Sequence, residues 1–599
     1  MRKVAAFCGR HFRCRRMFWV CLAGCLLCID GNADVSLHTL TAPFVTVLLL
    51  SLSTVWIPRV ARWVVQVLLG WAVLGVCLVD CYCQLFLGSP ISSQIMTTIL
   101  ETDTREAGEF LSVFVGVHVF LKWRITLLVL LFVILPLLYI PALWRWRWVA
   151  RVREWLGAKI EMCHVWVVGL VVALFCMAVE VSPSVRYVSL FDPHADQTDT
   201  EGFMFSQRHR EVPTPLHRAL FAWHTSRLSQ RTFEEFSRLT YEAQVDSVSH
   251  RSPHIVLIIG ESFNKHHASL YGYPLPTTPR QKARCEAGEL TVFTDVVSPW
   301  NITSSAFLHL FSVNRRGVDK RIGECPLFPA LFRKAGYRVS FFSNQFVMRG
   351  LFRGPTNQSG HFFLSDRQLS DSLFDYRNGR KTHYDLGLVR QVGQWRSEQP
   401  KSDYTLDIIH LMGQHFDYSE RYPANQRHLH GRDYAGRNLK GAGRRTVMHY
   451  DNATLYNDSV VDSILSLYEG DEAVVIYLSD HGDEVYDELP IQGRQFRRPG
   501  EVEARNEFEV PLWVWCSETY RKRHPEIVDS IHTAAGQPMM SDQVSQMLLW
   551  LAGIESVWTD REQNPLSPAF LGRPRIIAGQ VDYDALMEKG ESREKVGRK

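Results

Sequence analysis

Hydrophobic and polar positions divide the chain into two regimes. Before about residue 185, long apolar stretches follow one another: Met17–Ile29, Leu40–Ile57, Trp63–Leu87, Ile125–Trp144 and Cys163–Val181. We read each as a helical span of a bilayer core of ~30 Å. From Pro253 the pattern shortens. Strands are predicted at Ile255–Ile259, Leu290–Val297, Tyr337–Phe342, Tyr404–His410, Ala473–Leu478 and Phe508–Trp515. Helices are predicted at Phe328–Ala335, Asn452–Leu467 and Ser541–Ala552. Uninterrupted apolar strands suit a sheet buried on both faces, and their alternation with helices gives a largely parallel sheet. The fold class is therefore an α-helical transmembrane domain of five spans followed by an α/β domain.

The stretch between the regimes is polar and broken by Pro213 and Pro215. Leu216–Ala243 then spaces Leu220, Phe221, Trp223, Phe233 and Phe236 as a helix. It reads as a bridge between membrane and soluble parts, or equally as a helix of the soluble core. The expected boundaries are 1–182 transmembrane, 183–252 linker with bridging helix, 253–585 catalytic domain and 586–599 charged tail.

Charge orients the spans. Arg2, Lys3, Arg10, Arg13, Arg15 and Arg16 precede the first span. Arg59 and Arg62 follow the second, and Arg145, Arg147, Arg151, Arg153 and Lys159 follow the fourth. With alternating spans all three groups share one side, which the positive-inside rule makes cytoplasmic. Everything after Val181 then lies outside the cytoplasm. Trp144, Trp146, Trp148 and Trp155 suit an interfacial belt, while Lys122 and Arg124 fall on the outer side, against the rule. Phe110–Leu121 is too short to span and reads as an interfacial amphipathic helix. Asp80, inside the third span, calls for a buried partner. The net charge of +4, with no aromatic-interleaved basic run, argues against a nucleic-acid partner. Ten of the 13 cysteines precede Met177. Of the remaining Cys285, Cys325 and Cys516, the first two are a candidate disulfide outside the cytoplasm.

Candidate chemistry sits at strand ends. The Ile255–Ile259 run closes on Gly260 and then Glu261, and the Ala473–Leu478 run ends in Ser479-Asp-His-Gly482. Open α/β sheets bind ligands at the carboxyl ends of their strands, and adjacent carboxylate and imidazole suit Zn²⁺ or Mn²⁺. A third element, Trp300-Asn-Ile-Thr-Ser-Ser-Ala306, follows a strand and precedes an apolar segment, Ala306–Phe311. Its Thr303, Ser304 or Ser305 is either a helix cap or a nucleophile at a helix N-terminus, where backbone N–H groups hold a phosphate.

These motifs resemble the phosphoethanolamine transferases of Gram-negative envelopes, within the alkaline phosphatase/sulfatase superfamily. The resemblance rests on Gly260-Glu261-Ser262 with His267, Leu270-Tyr-Gly-Tyr273, Thr277-Thr-Pro279, Thr303 to Phe311-Ser312, Tyr450-Asp-Asn452 and Ser479-Asp-His-Gly482. It covers nearly the whole chain and implies an alkaline-phosphatase-like soluble domain. By motif match it implies Glu261, Thr303, Asp480 and His481 as Zn²⁺ ligands, with Mn²⁺ the second candidate. It implies Thr303 as nucleophile, His415 of Met412-Gly-Gln-His415 as catalytic and substrate-binding, and Asn344 as substrate-binding. One departure stands out. The family often has a further histidine after Asp-His-Gly, and Asp483–Arg505 has none, offering Arg494, Arg497, Arg498 and Arg505. These form either a phosphate contact or a solvated basic loop; Arg421–Arg445 is a second basic insertion of open role.

The implied reaction moves phosphoethanolamine from phosphatidylethanolamine to an envelope glycolipid, lipid A or core sugar, through a phosphothreonine-type intermediate. The implied setting is the inner membrane, as a monomer, with the catalytic domain in the periplasm. The rivals are a phosphoglycerol transferase using phosphatidylglycerol and a catalytically dead membrane scaffold. A sulfatase is disfavoured, because the soluble part has no Cys/Ser-x-Pro-x-Arg pentad.

Overall fold

The computed structural model describes residues 16–29, 37–92, 117–140, 162–189, 212–314, 323–345, 362–400 and 402–589, with isolated positions between 93 and 116 and at 191. The basic residues Arg2–Arg15, most of the amphipathic segment Phe110–Leu121, the tryptophan belt with its basic loop, and the tail from 590 lie outside the described residues. The chain forms two compact units. One comprises 1–96, 114–195 and 199–226; the other comprises 97–113, 196–198 and 227–599.

In the first unit the apolar stretches form α1 (Arg16–Leu27), α2 (Leu37–Ser53), α3 (Arg59–Tyr82), α4 (Trp123–Leu137) and α5 (Met162–Ser189). Five spans were expected. Among the described residues, three helical runs are long and apolar enough to cross a membrane: Leu37–Trp56, Ala61–Leu87 and Leu170–Val188. The other two, α1 and α4, are apolar but have only 12 and 15 described residues. The predicted fourth span continues to Trp144, beyond the described part.

Asp80 finds its partner in this unit. A sixth helix, α6 (Pro215–Glu242), starts here, and its Arg218 donates from Nε to Asp80 Oδ1 at 2.9 Å and from Nη2 to Oδ2 at 2.5 Å. Both residues are buried, and Gln84 and the Ile91 amide complete the carboxylate. A bidentate, fully hydrogen-bonded pair is the form in which charges are tolerated out of water. Arg124, misplaced by the charge rule, is used locally. It donates to the carbonyls of Leu27 and Ile29 at the end of α1, where a cation complements the helix dipole.

The second unit is built on one seven-stranded sheet. Its strands are β1 (His254–Gly260), β2 (Leu290–Phe293), β3 (Arg338–Ser343), β4 (Tyr376–Arg377), β5 (Thr405–His410), β6 (Ala473–Ser479) and β7 (Leu512–Cys516), in the order β2-β7-β6-β1-β5-β3-β4. The sheet is mixed rather than wholly parallel. From β6 to β4 each pairing is parallel, whereas β7 runs against both β6 and β2. Both faces are covered, as the uninterrupted apolar runs require. Ile255, Leu257 and Ile259 pack beneath Phe307, Phe311, Phe328 and Leu548, while Val256 and Ile258 pack on the other face with Val392, Val460 and Ile464. The helix predicted at Asn452–Leu467 is longer, Gly441–Ser466. Its first turns take in Gly441, Gly443 and the basic Arg444 and Arg445, which masked the periodicity.

The candidate disulfide does not form. Cys285 and Cys325 are not bonded to each other. Cys285 packs with the cluster on one face of the sheet and Cys325 with the cluster on the other, so the sheet separates them.

Arg218→Leu leaves Asp80 buried without a cation, and we expect a loss of about 3–5 kcal/mol in the helical unit. Asp80→Asn combined with Arg218→Gln should recover most of it. Thermal unfolding of the full chain in detergent, followed by circular dichroism, measures both.

Candidate metal centre and nucleophile

The site is assembled by strand register. In the parallel pair β1–β6, Gly260 stands opposite Ser479, so the next residues on each strand, Glu261 and Asp480, leave the sheet side by side. A Cβ on Gly260 would lie 2.4 Å from the Tyr477 hydroxyl of the neighbouring strand, which explains the small residue before the carboxylate. The chain then turns sharply at Ser262, in the left-handed region at φ 56°. Non-glycine residues seldom take this conformation, and it persists where surroundings over-determine it. Here the Ser262 amide donates to Asp480 Oδ1 at 3.0 Å, its carbonyl accepts from Tyr450, and its hydroxyl donates to Glu261 Oε1 at 2.7 Å.

Glu261, Asp480 and His481 offer ligand atoms that all lie within 4.8 Å of one another, and all three are buried. His481 Nε2 is 3.4 Å from Glu261 Oε1 and 3.2 Å from Asp480 Oδ2. Its other nitrogen, Nδ1, donates to the Gly482 carbonyl at 2.8 Å, which leaves Nε2 as the lone-pair side facing the carboxylates. Asp480 Oδ2 is buried with no hydrogen-bond partner. Two carboxylates, an imidazole lone pair and an unsatisfied oxygen converging in one buried place fit a divalent cation such as Zn²⁺.

Thr303 is the first residue of the helix Thr303–Phe311. Its hydroxyl lies 3.2 Å from each Glu261 oxygen and 3.3 Å from His481 Nε2. The first helical hydrogen bond runs from the Ala306 amide to the Ile302 carbonyl, so the preceding amides form the open, positive end of the helix. Of the three hydroxyls left open by the sequence, Thr303 is the one brought to the carboxylates.

Burial and charge set the protonation of these groups. Burial pushes the Asp480 carboxyl up to about 7, reinforced by the charge of Glu261. Burial also raises Glu261, but His481, His415 and Arg494 outweigh it and hold it well below the usual carboxylate range. His415 is brought down to about 4 by burial, so it is neutral near pH 7. Its Nδ1 bonds the Phe416 carbonyl at 2.6 Å, leaving Nε2 unprotonated. The turn carrying it lies close against Glu261, because a Cβ on Gly413, at φ 47°, would meet the Glu261 backbone at 2.9 Å.

Asn344 is not among the groups brought together. Its amide donates to Asp385 at 2.8 Å and its oxygen accepts from the Thr382 amide. The next residue, Gln345, instead reaches Glu261 Oε2 at 3.0 Å. Arg494, one of the basic residues in the stretch without histidine, contacts His481 Nε2 through Nη1. Arg497 and Arg505 turn away to Glu503 and Glu488.

Behind the site lies a second polar cluster. His267 is fully buried and sits between Asp451, at 2.6 Å from Nδ1, and Asp487, at 2.9 Å from Nε2. Asp451 also accepts from Tyr273 and Tyr434, and Arg437 bonds Asp487 at 2.7 Å. The basic insertion is thereby fastened to the chain following Gly482.

A hydroxyl at a helix N-terminus, set against a buried group of carboxylates and imidazole at the carboxyl edge of such a sheet, is suited to metal-assisted transfer of an ester group, and this is the class of protein the fold and site point to. Within it, the chain belongs to the sulfatase family, whose model matches residues 253–554. It is similar to phosphoethanolamine transferase EptC of Escherichia coli, 26% identical over 582 residues and 89% of each chain. It is also similar to the Kdo(2)-lipid A phosphoethanolamine 7''-transferase of Salmonella typhimurium, 23% identical over 52% of this chain and 56% of that one. The fold is shared with the integral membrane lipooligosaccharide phosphoethanolamine transferase A of Neisseria meningitidis. That structure is 16% identical, with a TM-score of 0.57, covering 92% of this chain and 97% of that chain.

The His267 cluster generates a pH test. Burial lowers the imidazole, but Asp487 and Asp451 outweigh it and raise it to about 10, against ~6.5 in an unfolded chain. The folded chain holds this proton more tightly, so the stabilisation is complete below pH ~6.5 and is lost as pH rises through about 10. We expect the unfolding temperature to fall between pH 7 and 10. His267→Gln should be less stable at pH 7 and show little of that fall in the same scanning-fluorimetry series.

Proposed function

We propose that the chain is a membrane-bound phosphoethanolamine transferase. It moves phosphoethanolamine from phosphatidylethanolamine to an envelope glycolipid, lipid A or core sugar, through a covalent intermediate on Thr303. The observation that carries this reading is the Thr303 hydroxyl, at a helix N-terminus and within 3.3 Å of Glu261 and His481. The printed activities of the relatives support the transferred group, and the lipid A named for the Salmonella relative supports the acceptor class. The apolar helices fit a lipid donor. They also fit placement in the inner membrane, multi-pass and monomeric, with the catalytic unit in the periplasm.

Glu261, Asp480, His481 and Thr303 would hold one Zn²⁺, with Mn²⁺ the alternative, supplying positive charge that lowers the hydroxyl pKa of Thr303. Glu261 accepts the hydroxyl hydrogen and aligns Oγ1. The Oγ1–phosphorus bond forms as the bond to the diacylglycerol oxygen breaks, and the proton given up by Oγ1 passes to that oxygen, so diacylglycerol leaves as the neutral alcohol. The first-turn amides of the Thr303 helix face the phosphoryl oxygens. Neutral His415 then accepts the proton of the acceptor hydroxyl. That oxygen attacks phosphorus, and Thr303 is released with its hydroxyl restored.

The test uses full-length protein in detergent with fluorescent phosphatidylethanolamine and phosphatidylglycerol offered in parallel. Diacylglycerol release and phosphoethanolamine mass on the Thr303 peptide are expected from the first lipid, and both should vanish in Thr303→Ala. Glu261→Ala should lose its bound metal by elemental analysis. Turnover of phosphatidylglycerol alone would make the chain a phosphoglycerol transferase. Cleavage of neither lipid by metal-loaded protein would leave the scaffold reading.

A further inference from the structure

We infer that Arg494 grips the transferred phosphoryl group and is a catalytic residue of this site. The inference rests on the transferase reading above and names a group that the metal ligands and nucleophile do not include.

Topology brings Arg494 to the site. Beyond Asp480-His481-Gly482 the chain forms a small antiparallel pair in which Gly493 stands opposite Glu484 and Gln492 opposite Val485. This return sets Arg494 beside Asp483, two residues from His481. Its Nε lies 3.5 Å from Asp483 Oδ1, and its Nη1 meets His481 Nε2, the ring nitrogen that lies 3.3 Å from Thr303 Oγ1. The guanidinium and the nucleophile therefore share one neighbour atom. A phosphoryl group bonded to Oγ1 would therefore lie within one residue's contact of the guanidinium.

The bonding of Arg494 differs from that of arginines with a structural task. Arg218 forks onto Asp80, Arg396 bonds Asp407 and Asp471, and Arg575 bonds Asp295 and Asp584. Each closes on carboxylates as a planar five-donor group does when it holds a fold together. Arg494 is just as enclosed, with a side chain 15% exposed, yet its nearest carboxylate oxygen is 3.5 Å away and the contact is a charge contact. Asp483 Oδ1 is left without a hydrogen-bond partner. Donors remain in a guanidinium whose geometry matches two oxygens of one phosphate. Asp483 stands beside it and the charges of Glu261 and Asp480 act on it, and a cation at this place lets an anionic phosphodiester enter and stabilises the charge that gathers on its oxygens during transfer.

The experiment compares wild type, Arg494→Lys and Arg494→Gln as full-length, zinc-loaded protein. The readouts are zinc content, diacylglycerol release from phosphatidylethanolamine, and binding of inorganic phosphate by calorimetry. We expect about one zinc per chain throughout, as the four proposed ligands are untouched. Arg494→Gln should lose about 10²- to 10³-fold in kcat and at least tenfold in phosphate affinity. Arg494→Lys, which keeps the charge but not the fork, should fall between. Unchanged phosphate affinity in Arg494→Gln would overturn the inference even if wild type turns the lipid over. Loss of zinc in both variants would also overturn it, making Arg494 a support of the metal centre. Wild-type phosphate binding that depends on Arg494, with neither lipid cleaved, would uphold the grip while removing the transferase reading.

Discussion

Two carboxylates buried side by side repel each other with little water to screen them, and the catalytic unit is arranged around that constraint. Glu261 and Asp480 leave adjacent parallel strands at matched register. Glu261 is answered by the charge of Arg494 and by hydrogen bonds from Ser262 and Gln345, and Asp480 by the Ser262 amide. An arrangement of this kind is costly without a cation and favourable with one. The raised Asp480 and depressed Glu261 are the two halves of that imbalance.

The surroundings are stiff because they must hold those charges in place. The left-handed turn at Ser262 is tied down by Tyr450 and Asp480. The His415 turn passes so close to Glu261 that only glycine fits at position 413. Further back, His267 bridges Asp451 and Asp487, linking the helix Gly441–Ser466 to the chain that returns Arg494. Strain, close approach and a buried ion network thus act on the same few residues from three directions.

Glu261, Asp480 and His481 were legible in the sequence because a buried parallel strand is a plain apolar run, and the residue that ends it is the one a ligand meets. Residue type alone left Thr303 as one of three hydroxyls, since a cap and a nucleophile share the same chemistry, and the family resemblance singled it out. Asn344 was expected from the resemblance, and nothing in Ser343-Asn-Gln345 records that the side chain of Gln345 is the one that bonds Glu261. Whether Arg494 was a phosphate contact or part of a solvated basic loop stayed open in the sequence, because its place depends on a two-residue strand pairing too short to leave a period. The reversed strand β7 has the composition of its parallel neighbours, so direction was invisible. Asp80 announced a partner, but Arg218 lies 138 residues away.

Cys285 and Cys325 lie in clusters on opposite faces of the sheet, and the full thickness of the sheet screens them from each other. The fold of this unit is therefore reached without a bond between these two residues. As far as this pair is concerned, a thiol oxidant has nothing to add to the folded unit.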